Sequence, residues 1–280
     1  MAGKTVVITG ASGGIGLETT RQLAAKGARI IMVVRNRDKT EAAIRDVHDT
    51  VPNGQLEMVI ADLYSQAETR RAAAEVAERA PHIDVLINNA GLIHDKRELT
   101  VDGIERTFAL NHLAPFLFTY QLRERLGDGS RIITVSSEGH KYNKLDWSDI
   151  ATCDHWPGAI RVYGTSKLCN IWFARESARR LAAAKVTSNA LHPGAVASSF
   201  GQSGSRLMRA SMKLVKPFLL SVEKGAATSV YLASSPEVAT VTGEYFAKCR
   251  VAKPSALARD DDSAKRLWAL SEKLCGVTWS

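Results

Sequence analysis

Tyr163 is the only one of the six tyrosines with a lysine four residues on, in Tyr163-Gly164-Thr165-Ser166-Lys167. A Ser136-Ser137 pair stands upstream at the end of an apolar run. Residues four apart on a helix share a face, so the Lys167 ammonium is expected close to the Tyr163 phenol. There it would favour the ionised form over a reference pKa of about 10. A phenol tuned in this way can donate or accept a catalytic proton, and the constellation points to carbonyl chemistry. Taken alone, the same spacing also describes two solvated surface residues, so the surrounding elements must decide.

A second constellation could hold a cofactor. Thr9-Gly10-Ala11-Ser12-Gly13-Gly14-Ile15-Gly16 follows an apolar run and opens a helical pattern. Glycines let the backbone approach a pyrophosphate, whose charge is stabilised by a helix N-terminus. The spacing Gly10-x-x-x-Gly14-x-Gly16 differs from the common dinucleotide fingerprint, and an ordinary strand-to-helix turn would also use glycine. Its position after the first strand favours the nucleotide reading. At the end of the second strand an Asp or Glu would grip the ribose 2′-hydroxyl of NAD, whereas this chain has Arg35-Asn36-Arg37. Two guanidinium groups suit a 2′-phosphate, so NADP(H) is expected over NAD(H). Asp38 is adjacent, and solvated surface arginines are the plainer alternative.

These residues need a scaffold. Apolar runs recur at Thr5 to Thr9, Arg29 to Val34, Leu56 to Ile60, Asp84 to Asn88, Arg131 to Val135 and Val186 to Leu191, with a further strand near Glu244 to Ala247. Segments of helix-forming composition, such as Leu17 to Lys26 and Thr69 to Arg79, lie between them. The alternation predicts an α/β fold: a single-domain Rossmann-type doubly wound parallel sheet of about seven strands, with helices on both faces. No repeat or linker divides residues 1 to 280, so one domain is expected. Arg259 to Ser263 reads as a charged loop before a short amphipathic helix.

Length and composition agree. A chain of 280 residues with 45% hydrophobic and 24% charged residues suits one large globular domain, with no stretch apolar enough to span a bilayer. The strand-like run starting at Thr5 leaves no room for a signal peptide or anchor ahead of it, so a cytoplasmic location is expected. Cys153, Cys169, Cys249 and Cys275 are scattered and read as free thiols, without the pairing of a metal site. The net charge of +8 is spread along the chain, which reads as general surface charge and not as a nucleic-acid site.

Thr-Gly-x-x-x-Gly-x-Gly, Asn88-Asn89-Ala90-Gly91, Asn111, Ser137, Tyr163-x-x-x-Lys167 and Pro193-Gly194, in this order, resemble the short-chain dehydrogenase/reductase family over roughly residues 4 to 250. Arg35-Asn36, Leu110-Asn111-His112-Leu113, His192-Pro193-Gly194, Tyr245-Phe246 and Arg266-Leu267-Trp268 look like its retinol dehydrogenase branch. The resemblance implies that Asp62 and Leu63 pack by the adenine, Asn89 by a ribose, and Gly194 and Val196 by the nicotinamide, with Ala90, Gly91 and Pro193 in the same motifs. It also implies catalytic roles. Tyr163 would be the acid or base, Ser137 would polarise the carbonyl, and Lys167 would lower the tyrosine pKa and bind the nicotinamide ribose. Asn111 would position a water. Ser136 competes with Ser137, because neighbouring side chains leave a strand end in opposite directions.

The expected function is thus NADP(H)-dependent interconversion of a lipophilic ketone or aldehyde, such as a retinoid, steroid or polyketide, with its alcohol. A non-catalytic NADP(H)-binding regulatory protein on the same fold is the alternative. Trp147 and Trp156 in the stretch between Ser137 and Tyr163 mark either a segment beside the substrate entrance or a surface loop with ordinary anchors. Arg206, Arg209, Lys213 and Lys216 make 206–220 a basic amphipathic helix, read either as a substrate lid within 199–222 or as a peripheral membrane contact. A homodimer through the outer face of 167–180 is a candidate assembly, and that face could equally meet solvent.

Overall fold

A computed structural model describes residues 1–196 and 220–279. The lid or membrane helix expected within 199–222 falls almost wholly outside the described residues. The strands run β1 (Thr5–Thr9), β2 (Arg29–Val34), β3 (Gln55–Ile60), β4 (Val85–Asn88), β5 (Arg131–Val135), β6 (Thr187–His192), β7 (Tyr245–Ala247) and β8 (Arg250–Val251). Helices α1 (Gly14–Ala25), α2 (Arg37–His48), α3 (Gln66–Arg79), α4 (Arg106–Phe108), α5 (Ala114–Leu122), α6 (Ala159–Arg180), α7 (Val222–Ser234) and α8 (Asp261–Cys275) accompany them.

All strands join one sheet in the order β3-β2-β1-β4-β5-β6-β7-β8. Every pairing is parallel except β7 with β8. The expected parallel sheet is present, with β8 added as a two-residue antiparallel edge that is too short to show as an apolar run. Alternation sorts the core. Val7, Ile31, Leu86 and Ile132 enter one apolar cluster with α3, α5, α6 and α8. Val6, Ile8, Ile30, Met32, Ile87 and Ile133 enter the other, with α1 and α7.

The expected loop at Arg259 to Ser263 is corrected. Asp260 caps α8 by accepting from Ser263 N at 2.9 Å, so Asp261 to Ser263 form the first turn of a 15-residue helix. The acidic residues that suggested a loop favour a helix N-terminus. Trp147 is an anchor: its ring stacks on Trp172 at 5.7 Å, and the Arg266 guanidinium lies 4.6 Å from its centroid. Among the described residues no helix is long and apolar enough to cross a membrane.

Candidate active site

A cavity of about 620 Å³ opens at the carboxyl ends of the parallel strands, where the order reverses between β1 and β4. Gly10, Ser12, Gly13, Gly14, Ile15 and Gly16 form one wall. Gly10 has φ 68°, and a Cβ there would lie 2.9 Å from the Ala90 Cα, so the exit of β1 is pressed against the exit of β4. A Cβ on Gly16 would lie 2.5 Å from the Asn89 side-chain amide. That amide donates to Thr9 O at 2.8 Å, so Asn89 ties two strand ends together as well as lining the cavity. No side chain caps the start of α1 at Gly13. The first N–H groups of the helix are therefore not satisfied by a cap, which suits an anion in this glycine cradle.

At the end of β2, Arg35 lines the cavity, and Arg37 is not among its lining residues. Asn36 caps α2 by accepting from Lys39 N at 2.8 Å, so Arg37 and Lys39 sit on the first turn. Two helical steps turn the side chain by roughly 200°, which sends Lys39 toward the glycine turn and Arg37 away. The Lys39 Nζ lies 3.2 Å from where a Cβ on Gly13 would stand. Asp62 and Leu63 line the adjoining wall. Asp62 Oδ1 accepts from Tyr64 N at 3.2 Å, while Ser65 caps α3. Tyr64 also lines the cavity, with Arg106 4.5 Å from its ring centroid and its hydroxyl 2.7 Å from His94 Nε2.

Ser137, Tyr163 and Lys167 converge at the opposite end with Pro193, Gly194 and Val196. The neighbouring serines separate cleanly. Ser136 Oγ is buried and donates to Lys167 O at 2.6 Å, whereas Ser137 hydrogen-bonds the Tyr163 phenol. Gly139 makes room for this pair, since a Cβ there would lie 3.1 Å from the Tyr163 ring and 3.2 Å from Ser137 Oγ. Burial pushes the Tyr163 phenol up to about 12, against the pull of the Ser137 hydrogen bond. The expected depression by Lys167 is thus corrected. Burial lowers Lys167 itself to about 7, and its Nζ sits 5.6 Å from the tyrosine ring centroid and donates to Val135 O at 2.9 Å.

Asn111 lies behind this wall, buried within a π-helical turn, Ala109–Leu113. Its amide both accepts from Leu92 N and donates to Leu92 O at 2.9 Å, and donates to Ser166 Oγ at 2.9 Å. A Cβ on Gly91 would lie 3.1 Å from both Asn111 Oδ1 and Lys167 Nζ.

Residues 4–207 match the family model described as short chain dehydrogenase. The chain belongs to this family. It is 37% identical to retinol dehydrogenase 12 of Mus musculus, over 99% of this chain and 88% of that one. It is also 36% identical to the WW domain-containing oxidoreductase of Homo sapiens, over 97% of this chain and 68% of that protein. Among solved structures, an uncharacterised protein from Mycobacterium Paratuberculosis superposes with a TM-score of 0.81 at 34% identity, covering 100% of this chain and 96% of the other. A blue fluorescent protein from a metagenomic library, in complex with NADPH, gives 0.69 at 27% identity, covering 88% and 96%.

In this short chain dehydrogenase, Lys39, Tyr64, Glu138 and His192 line the cavity without having been singled out as site residues from the sequence. Lys39 carried one signal, a cation on the first turn after an Asn N-cap. His192 stood in the His192-Pro193-Gly194 motif, but nothing local joined it to Glu138, because only the pairing of β5 with β6 brings the two together.

Proposed function

We propose that this chain is an NADP(H)-dependent oxidoreductase that interconverts a lipophilic ketone or aldehyde and its alcohol. The observation that carries this reading is the Ser137–Tyr163 hydrogen bond on a cavity wall shared with Lys167 and the glycine turn. Bound NADP(H) would supply the hydride or take it up in the reverse direction. Tyr163, held protonated through the neutral range by burial, is the acid that gives its proton to the developing alkoxide. The Ser137 hydroxyl polarises the carbonyl oxygen. Lys167 would bind the nicotinamide ribose, and its buried Nζ, which flanks Gly91 together with Asn111, would pass protons toward the tyrosine. Asn111 holds that route in place through its paired hydrogen bonds to Leu92.

Preference for NADP(H) is supported by the cations Arg35 and Lys39 at the end of β2, where an NAD enzyme would carry a carboxylate. The bound NADPH of the 27% identical relative supports it too. The glycine cradle and the cavity volume fit a dinucleotide with a small substrate beside it.

The test follows NADPH and NADH oxidation by absorbance with retinal, steroid ketones, quinones and aromatic polyketide ketones, for wild type and Tyr163→Phe. Turnover with NADPH that the substitution abolishes is expected. Equal turnover by Tyr163→Phe would refute the proton-donor role, and NADPH binding without reduction of any carbonyl would favour a non-catalytic binder.

A further inference from the structure

The cavity wall next to Ser137 carries polarity that the proton chemistry above does not use. Glu138 and His192 both line it. Glu138 directly follows Ser137 in the chain, and both line the cavity together with Tyr163. His192 ends β6, one residue beyond Leu191, which pairs with Val135 of β5. The two are coupled, since Glu138 N donates to His192 Nδ1 at 3.3 Å.

That bond settles which way the imidazole is used. A ring nitrogen that accepts carries no proton, so the neutral His192 bears its proton on Nε2 and is a donor there. Burial lowers the His192 pKa, which favours the neutral ring. The Glu138 carboxylate is held from two sides. The Tyr245 hydroxyl donates to Oε1 at 3.0 Å, and Lys141 pairs with Oε2. A carboxylate has about four acceptor positions, and these partners use two. Glu138 and His192 thus bring one held acceptor and one donor to the cavity that Ser137 and Tyr163 also line.

We propose that Glu138 and His192 form a hydroxyl-recognition subsite, and that the substrate is a lipophilic carbonyl compound bearing a hydroxyl group that donates to Glu138 and accepts from His192 Nε2. This inference rests on the carbonyl-reduction reading. A hydroxyl donates and accepts at once. A hydrocarbon at the same place leaves two desolvated polar groups unpaired, the situation in which sites reject an analogue most strongly. A carboxylate would satisfy His192 and meet the charge of Glu138.

The experiment compares the three positional (hydroxymethyl)benzaldehydes with the matching methylbenzaldehydes as substrates with NADPH, in wild type, Glu138→Ala, Glu138→Gln and His192→Ala. For at least one isomer the wild-type kcat/KM ratio, hydroxymethyl over methyl, is expected to reach tenfold. It should fall toward one in Glu138→Ala and His192→Ala and be partly kept by Glu138→Gln, which retains an acceptor. Ratios near one for every isomer in wild type, or ratios unchanged by Glu138→Ala, would overturn the proposal. So would a tenfold rise in the NADPH dissociation constant of Glu138→Ala, which would assign the pair to the cofactor. If wild type binds NADPH but reduces none of these aldehydes, the reduction reading is decided separately by the wider carbonyl panel above. The subsite is then judged from dissociation constants of the same compounds for the NADP+ complex, read by tryptophan fluorescence, with equal constants within each pair overturning it.

Discussion

Ser136 Oγ donates to the carbonyl of Lys167 at 2.6 Å, pinning the end of β5 to the middle of α6. The serine beside it is thereby left to the cavity, where it meets Tyr163. The two hydroxyls are adjacent in sequence and differ in task. Ser137→Ala is expected to lower kcat by about 10²-fold, the scale of losing one donor to a developing oxyanion, with little change in unfolding free energy. Ser136→Ala should cost about 1 kcal/mol of stability for the lost buried bond, with a smaller loss of kcat. Urea unfolding and steady-state kinetics on both variants check this, and an equal kcat loss without destabilisation in Ser136→Ala would reverse the assignment.

The cations at the end of β2 make a second prediction. Arg35→Ala and Lys39→Ala should each raise the NADPH dissociation constant about tenfold, the scale of one charge-assisted contact, while leaving that of NADH nearly unchanged. Arg37→Ala should leave both unchanged, since Arg37 lies outside the cavity lining. Fluorescence titration measures all three. A loss of NADPH affinity confined to Arg37→Ala would mean that α2 is turned differently in the complex.

The hairpin at the sheet edge stores strain that can be released. β7 and β8 are joined by Lys248 and Cys249, with φ 52° and 57°. Two-residue loops with positive φ at both positions favour Asn-Gly, and other residues are strained there. Lys248→Asn combined with Cys249→Gly should raise stability by about 1 kcal/mol, because glycine keeps the Cys249 N–H donation to Thr228 Oγ1 at 3.2 Å. Chemical denaturation reads the change, and destabilisation would show that the Cys249 side chain contributes more by packing than its backbone costs.

Local spacing carried much of the molecule into view before the structure. The strand runs from Thr5 to Leu191, the glycine turn and the Tyr163–Lys167 pair depend on neighbours within one or two turns of chain. The rest depends on tertiary placement. Ser136 and Ser137 are separated only by the packing of α6 against β5. Arg37 and Lys39 exchange places because the Asn36 cap sets where α2 starts to turn. Glu138 meets His192 through the register of β5 with β6. The Tyr163 pKa was expected to fall because the spacing showed a cation and concealed the burial that opposes it. Asp261 to Ser263 looked like a loop because charge density suits both solvent and a helix N-terminus.

Burial of Lys167 gives folding stability a pH dependence of unusual sign for a lysine. In the unfolded chain the group titrates near 10.5, whereas in the folded protein burial lowers it to about 7. Between these values the unfolded chain binds more protons, so stability rises with pH across the interval. Below about pH 7 the folded state carries the whole cost of the buried charge, and above the unfolded value that cost is gone. Lys167→Met removes it at every pH. The variant is therefore expected to gain most over wild type near neutral pH, and the gain should shrink by more than about 2 kcal/mol between roughly pH 6.5 and pH 9.5. Taking the difference between the two proteins cancels the other groups that titrate in the alkaline range, including the buried cysteines. Urea unfolding at both pH values supplies the numbers. A difference independent of pH would show that Lys167 keeps its charge in the folded protein through a partner that stabilises it, and the proton route proposed through its Nζ would lose its basis.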